Sequence, residues 1–367
     1  MTWNWQDPDW PNFRWAADRI AAYELEFAQK VGVLIGSSRH LVSADQFQLV
    51  VELMSRSALD SSAIEGEILD RDSVQSSVRR QLGLQADHKR VGAAEAGIAT
   101  LMVDLFETLN EPLDHAKLFN WHRLVMAGNA DLQVVGGYRV HEEPMQIVSG
   151  PDYRRKVHFE APPSATVATE MDRFLRWFAG SAPSGSAPLS PVARAGIAHL
   201  WFETIHPFED GNGRLGRVIA EKALSQGRDR AMLTGISSSF MQNRSRYYAQ
   251  LEAASRGLDI DKWLAWFAQM TLAAQDQTVA WVSFVIGKAQ LLSRLEGQIN
   301  MRQEKVLIRL FKAGPEGFIG GLSADNYRTI SGATSATATR DLADLVERGA
   351  LRRTGERKGT RYWLTLT

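Results

Sequence analysis

From Val192 to Ile205 the chain reads VARAGIAHLWFETI, apolar nearly all round. A helix without a polar face has to be enclosed by other elements. Ser190-Pro191 opens it, with serine in the cap position and proline at the first helical position, where a missing N–H costs nothing. His206-Pro207 closes it. A short loop follows in which one asparagine separates two glycines, Gly211-Asn212-Gly213, and a second helix begins near Arg214 and runs through Val218, Ile219, Lys222 and Ala223. Gly211 and Gly213 can take positive φ, so successive N–H groups can turn inward as an anion-binding nest. At a helix N-terminus that nest also receives the positive end of the helix dipole, which makes it a phosphate cradle. Arg214 and Arg217 are three apart and share a helix face, where two guanidiniums can hold a polyphosphate. Asp210 at the mouth can take Mg²⁺, which binds through one or two carboxylates plus phosphates. His206, across the loop, titrates near neutrality and suits accepting a proton from an attacking hydroxyl. The same stretch fits G-x-G-x-x-G over Gly211–Gly216, but a dinucleotide fingerprint needs a preceding strand, and here a helix precedes it.

The rest of the chain is mostly helical in pattern. Trp3, Trp5, Trp10 and Trp15 crowd the first fifteen residues, broken by Pro8 and Pro11, and read as an extended arm packed on the body. Ser43 with Gln46 forms a capping-box start for a helix through Phe47, Val50, Val51 and Met54. A second short helix is expected over Ser55–Glu65, stopped by Gly66. Further helices are expected at 92–109, 114–127, 164–179 and 190–205. Residues 134–162 are β-prone, and Met145–Ser149 and Lys156–Phe159 flank Gly150-Pro151-Asp152 as a hairpin. The last 67 residues order themselves as helix, helix, helix, hairpin, which is the winged helix-turn-helix sequence of elements.

Composition narrows the function. Lys and Arg total 42 against 42 Asp and Glu, so the chain does not coat nucleic acid or anionic lipid throughout its length. Residues 301–367 nevertheless hold 12 Lys and Arg against 7 Asp and Glu. Ser335, Thr337, Thr339 and Arg340 on the candidate recognition helix, with Arg357, Lys358 and Arg361 on the wing, are compatible with contacts to a DNA backbone. The absence of cysteine excludes disulfides, thiolate catalysis and Cys-based zinc sites. No apolar run approaches the roughly 18 residues of a membrane span, and the N-terminus lacks a signal-peptide pattern, so a soluble, cytoplasmic protein is expected. The eight histidines never fall at the i, i+4 spacing of a zincin, which disfavours a metal hydrolase.

The twelve residues His206 to Arg217, HPFEDGNGRLGR, resemble the signature of Fic proteins, H-x-F-x-(D/E)-G-N-G-R-x-x-R, at every fixed position. The resemblance implies a mainly α fold: a Fic core helical bundle with a β-hairpin flap at about 144–162, here with a C-terminal winged helix-turn-helix. It divides the chain into an N-terminal region (1–90) with an inhibitory helix at about 55–66, the core (91–280), a helical linker (281–300) and the winged domain (301–367). It implies AMP transfer from ATP to a hydroxyl on a protein side chain, with His206 as general base and Asp210 as the Mg²⁺ ligand. The ATP contacts would run over Gly211, Asn212, Gly213, Arg214, Leu215, Gly216 and Arg217, with Arg217 facing the γ-phosphate. Asn243 and Tyr248 fall where the family commonly places adenine contacts. The flap would pair with a target protein by strand addition. Ser61-Ser62-Ala63-Ile64-Glu65-Gly66 resembles the family's inhibitory motif (S/T)-x-x-x-E-(G/N) and implies that Glu65 pairs with Arg217 and excludes a productive γ-phosphate. A homodimer is also implied. Two other readings of the same residues stay open: AMP removal or another nucleotidyl or phosphoryl transfer, and a DNA-binding regulator that only senses nucleotide.

Overall fold

The structure is a computed structural model, and it describes residues 2–38, 43–86, 90–129, 131–150, 155–227 and 233–366. The Ser43 cap side chain and the turn residues Pro151 and Asp152 lie outside the described residues. The fold is mainly helical, with two small sheets. In chain order the helices are α1 (Asp18–Ser38), α2 (Ser43–Ile64), α3 (Arg71–Gln81), α4 (Ala93–Glu107) and α5 (His115–Val125). The hairpin β1 (Gln146–Ser149) and β2 (Lys156–Glu160) precedes α6 (Ser164–Gly180), α7 (Pro191–Ile205), α8 (Asn212–Ser225), α9 (Ile236–Gln242), α10 (Arg244–Ala254) and α11 (Asp261–Leu295). Then come α12 (Met301–Phe311), α13 (Ala324–Ser331), α14 (Ser335–Glu347), β3 (Leu351–Thr354) and β4 (Arg361–Leu364).

Two compact units divide the chain: Met1–Ile35 with Val50–Thr278, and Gly36–Leu49 with Val279–Thr367. In the first, α7 is the enclosed element its sequence demands, with Ile197, Ala198, Leu200, Phe202 and Ile205 at 0–2% exposure. Phe174 of α6 and Trp263 and Phe267 of α11 belong to the same core, and the Trp263 indole N–H donates to the Gly196 carbonyl at 2.8 Å. The cap of α7 differs from the sequence reading. Ser190 occupies the cap position but makes no side-chain bond there. The carboxylate of Glu24, on α1, accepts from the N–H groups of Val192 and Ala193 at 3.3 and 2.9 Å, so the negative charge at the helix start comes from a residue 168 positions away.

The tryptophan arm packs as expected, and it grips the hairpin. Trp3 meets Phe159 of β2 edge-on at 5.2 Å and lies under the Arg256 guanidinium at 3.7 Å. The Trp5 indole donates to the Glu160 carbonyl at 2.7 Å. Trp10 packs on Trp201 of α7 and donates to Glu170 at 2.8 Å. Strands β1 and β2 are antiparallel, with a register shift between Ile147 and Val148. No second short helix starts at Ser55. Helix α2 is continuous to Ile64, because 43–64 holds no glycine or proline and the Ser55 hydroxyl turns back to the Val51 carbonyl at 2.7 Å.

Most of the second unit is Val279–Thr367, which takes in the end of α11, α12–α14 and the β3–β4 hairpin. Phe284 sits against Trp281 at 5.8 Å and Phe311 at 6.3 Å, so this end of α11 is core. Helices α12 and α13 start on capping boxes, Asn300 with Gln303 and Ser323 with Asn326. Gly332 (φ 73°) turns the chain into α14. Asp341 of α14 ties the helices together, accepting from Tyr327 Oη (2.9 Å), Arg302 Nε (3.0 Å) and Asn300 Nδ2 (3.3 Å). The elements follow in the order helix, helix, helix, hairpin, with Leu351 paired to Leu364.

Candidate active site

The end of α7 and the start of α8 build the site. His206 is left-handed (φ 48°), because Pro207 disfavours a helical residue before it, while its own N–H still bonds the Phe202 carbonyl at 3.0 Å. Gly211 (φ 81°) caps α8. Between them the loop is stapled from inside. The Asn212 side chain accepts from Phe208 N at 2.9 Å and donates to Phe208 O at 2.8 Å. Phe208 is fully buried and stacks on His122 at 4.1 Å. Nε2 of His122 donates to the Asp210 carbonyl at 3.2 Å, and its Nδ1 accepts from Gly136 N at 2.8 Å. Burial holds the His122 imidazole below its ordinary range, against opposing contributions from Asp210, so this tautomer stays neutral. Arg139 spans the outside. Its guanidinium donates to the carbonyls of His206 (2.8 Å) and Pro162 (2.5 Å) and to Ser164 Oγ (2.8 Å). It thereby fastens the loop to the segment leaving the hairpin. His122, Arg139 and Glu203 were missed from sequence, where nothing near them marks a partner so far along the chain.

A cavity of about 700 Å³ opens over this loop, within the usual range for a small-molecule site. Its wall includes His206, Asp210, Gly213, Glu65 and Tyr248, together with residues of the hairpin. The N–H groups of Asn212, Gly213 and Arg214 form the first turn of α8 and have no carbonyl to reach within it. Arg214 donates to Glu67 at 2.8 Å, and its Nη2 lies 3.6 Å from Asp210. Arg217 is 1% exposed. It donates through Nε to Ser61 Oγ at 3.0 Å and through Nη2 to Ser61 O at 2.9 Å and Glu65 Oε1 at 2.8 Å. Its Nη1 is buried with no hydrogen-bond partner. The second Glu65 oxygen accepts from Tyr248 Oη at 3.2 Å. Burial pushes the Glu65 carboxyl up, but Arg217 outweighs it and the net shift is down, so Glu65 is ionised. Gly213 permits this contact, since a Cβ there would sit 2.2 Å from Glu65 Oε1.

Three sequence-predicted ATP contacts stand elsewhere, and a fourth, Asn212, offers the cavity its backbone only. Leu215 is fully buried in the core. Gly216 faces α7, where a Cβ would lie 2.4 Å from Glu203 Oε1, so its role is close packing. The Asn212 amide is spent on Phe208, and only its backbone N–H belongs to the cradle. Asn243 bonds Ser239 O at 3.0 Å and does not line the cavity, whereas Arg244, Ser245 and Tyr248 do. The helical period separates these positions, because residues one and two after Arg214 turn away from its face.

His206 Nδ1 lies 3.4 Å from the Glu203 carbonyl, an acceptor, which assigns the proton to Nδ1 and leaves Nε2 its lone pair. Burial, then Arg139, lowers the His206 imidazole to about 4. It is neutral at pH 7, the form a general base needs. Beside it, burial raises the Glu203 carboxyl to about 8. An unfolded Glu203 releases its proton above about 4.5, but the folded one keeps it to about 8. Wild-type stability therefore falls as pH rises through this window, by about 1.4 kcal/mol per pH unit. Glu203→Gln removes the dependence, so its gain in thermal midpoint over wild type should grow from pH 5 to pH 8. An equal difference at both values would contradict the buried neutral carboxyl.

Among the described residues no three His, Asp or Glu side chains gather as a metal cage. Asp210 offers a carboxylate at 51% side-chain exposure on the cavity wall. That suits an ion that arrives with phosphates rather than one held by protein alone. No helix among the described residues is long and apolar enough to cross a membrane.

Residues 112–224 match the Fic/DOC family, and residues 3–84 match a domain of unknown function, DUF4172. The protein adenylyltransferase Fic of Drosophila melanogaster is 34% identical over 137 residues, 36% of this chain and 25% of that protein. A probable protein adenylyltransferase of Aquifex aeolicus (strain VF5) is 29% identical over 99 residues, 27% of each chain. The chain thus spans about a quarter of the length of the curated relatives it matches. Two crystal structures share the fold. A Fic family protein from Desulfovibrio desulfuricans G20 aligns over 97% of this chain and 98% of its own, at 22% identity and a TM-score of 0.50. A Fic domain containing signaling protein from Bacteroides thetaiotaomicron aligns over 69% and 95%, at 17% identity and a TM-score of 0.51. With its cradle and buried α7 inside the matched span, residues 112–224 carry a Fic/DOC domain.

Proposed function

We propose that the chain is a protein adenylyltransferase that holds itself inactive: it moves AMP from ATP to a hydroxyl of a target protein, and Glu65 blocks the productive seat of the nucleotide. The observation that carries this reading is the Glu65 carboxylate, 2.8 Å from Arg217 and against the Cα of Gly213, directly over the cradle. A carboxylate and a phosphate cannot both take one guanidinium, and like charges repel, by about 1 kcal/mol at 4 Å in water and more where buried. The relatives' names supply the reaction class, and the unpaired Nη1 of Arg217 supplies a donor for a phosphate oxygen.

In this reading the amides of Asn212, Gly213 and Arg214 hold the phosphates and Arg217 takes the terminal one once Glu65 withdraws. Asp210 would hold Mg²⁺, which when bound neutralises phosphate charge. The acceptor oxygen forms its bond to the α-phosphorus, the bond to the β-bridging oxygen breaks, and pyrophosphate leaves. The acceptor's proton passes to His206 Nε2. Exposed Ile147, Val148 and Val157 on the hairpin suit a target segment added as a strand. Giving the Glu65→Gly chain ATP labelled at the α- or the γ-phosphate tests the reaction class. Protein should take label from the α-position only, and γ-label in protein would mean phosphoryl transfer instead.

A second reading concerns the C-terminal unit. Arg340 on α14 and Arg352, Arg353, Arg357 and Lys358 on the β3–β4 hairpin are exposed, and none of them pairs with a carboxylate among the described residues. We propose that this surface binds duplex DNA through its backbone. Binding should weaken steeply with salt, and Arg352→Ala with Lys358→Ala should flatten the slope of log K against log salt by about 2. Salt-insensitive or absent binding would assign the unit to protein contacts.

A further inference from the structure

Opposite the cradle, the hairpin presents a second set of reactive groups to the same cavity. Ser149 Oγ lies 2.6 Å from His158 Nε2, and His158 Nδ1 lies 2.8 Å from Glu252 Oε2 on α10. All three line the cavity that also contains His206, Asp210 and Gly213. A hydroxyl within reach of an imidazole, itself oriented by a carboxylate, is the general signature of an activated nucleophile. The order of bonds fixes the tautomer. The carboxylate accepts from Nδ1–H, so Nε2 is free to take the serine proton. The hydrogen bond from His158 holds Glu252 below its ordinary carboxylate range, with burial opposing, so Glu252 is ionised and orients the ring. Arg256 donates to the His158 carbonyl at 3.4 Å, and Lys156 stands 3.7 Å from the other Glu252 oxygen. Nothing in the reaction proposed above uses these residues, and His206 is not part of their network.

We propose that Ser149, His158 and Glu252 form a second nucleophile in the cleft, and that Ser149 attacks the α-phosphate of a nucleoside triphosphate seated on the cradle, so that the chain modifies its own hairpin. The electrophile rests on the adenylyl-transfer reading; the nucleophile rests on the hairpin geometry alone. The bond formed is Ser149 Oγ to the α-phosphorus, and the bond broken runs from that phosphorus to the β-bridging oxygen. Pyrophosphate departs with the electron pair. The Ser149 proton passes to His158 Nε2, and the resulting imidazolium is held by Glu252. The step needs no reactant besides the nucleotide, and the N–H groups of the cradle stabilise the phosphate charge that a peptide-bond hydrolase would meet with an oxyanion hole. A nucleotidyl group on Ser149 would place a bulky anion on β1, where a target strand is proposed to add.

Two labels test the proposal on the full-length chain. A fluorophosphonate, which needs no nucleotide site, should label Ser149 of the wild type, and the rate should fall at least tenfold in His158→Gln and be lost in Ser149→Ala. α-Labelled ATP given to the Glu65→Gly chain should place label on Ser149, mapped by peptide mass spectrometry. That label should disappear in His158→Gln, whereas label on other proteins should depend on His206. No fluorophosphonate adduct at Ser149, or one indifferent to His158, overturns the nucleophile. An adduct together with nucleotide label on other proteins but none on Ser149 overturns the self-modification. An adduct with no nucleotide transfer to any protein leaves the nucleophile standing and overturns the adenylyl-transfer reading instead.

Discussion

Replacing Glu65 by glycine should raise the initial rate of AMP transfer about a hundredfold. Glu65 sits at the C-terminal end of α2, held by Arg217 and Tyr248, and its carboxylate lies against the first turn of α8. Nucleotide must displace it before the terminal phosphate can reach Arg217. Breaking a buried pair of this kind costs about 3–5 kcal/mol when the remaining charge finds no other partner. A triphosphate is another partner, so part of that cost falls away. A remaining barrier of about 3 kcal/mol corresponds to about a hundredfold in rate. The variant should fold, because Ser61 still accepts two donors from Arg217. Glu65→Gln keeps the shape and removes the charge, so it should activate less than glycine. The check is the initial rate at saturating α-labelled ATP for the three chains, and equal rates would remove Glu65 from any inhibitory role.

The second large effect is at His206. Loss of a general base lowers a rate by about 10²–10⁴. Alanine at this position meets a backbone problem as well, because φ is 48° and the left-handed region costs a residue other than glycine, asparagine or aspartate about 1–2 kcal/mol. Asparagine tolerates that conformation and cannot accept the proton. His206→Asn should therefore keep nucleotide affinity within about threefold while transfer to other proteins falls by at least a hundredfold. Nucleotide titration and label transfer on the same preparation check this. An unchanged rate in the asparagine variant would mean that another group takes the proton.

The parts of this site that were legible in the sequence are those dictated locally. The apolar run 192–205, the proline after His206 and the two glycines of the loop each impose a backbone shape on their own neighbourhood, and the structure has α7, the turn and α8 where those residues put them. The face shared by Arg214 and Arg217 follows from helical period alone. Leu215 and Gly216 show the limit of a motif string. Both lie inside the signature, yet α8 turns them into the core and against α7. The contacts that hold the loop are long-range and had no local sign. Arg139 reaches His206 across 67 positions, His122 reaches Asp210 across 88, and Glu24 caps α7 across 168. The unbroken α2 was hidden because Ser55, Ser57, Ser61 and Ser62, poor helix formers when exposed, are buried here; Ser55 bonds the preceding turn.

On the proposed function, Glu65 restrains a His206-dependent transfer of AMP to other proteins. The most direct measurement incubates wild type, Glu65→Gly, and Glu65→Gly with His206→Asn in protein extract of the source organism with α-labelled ATP, and counts label on proteins other than the added chain. Weak label is expected with wild type, strong label with Glu65→Gly and a return to background in the double variant. Equal labelling by wild type and Glu65→Gly, or label on other proteins that persists in the double variant, would contradict it.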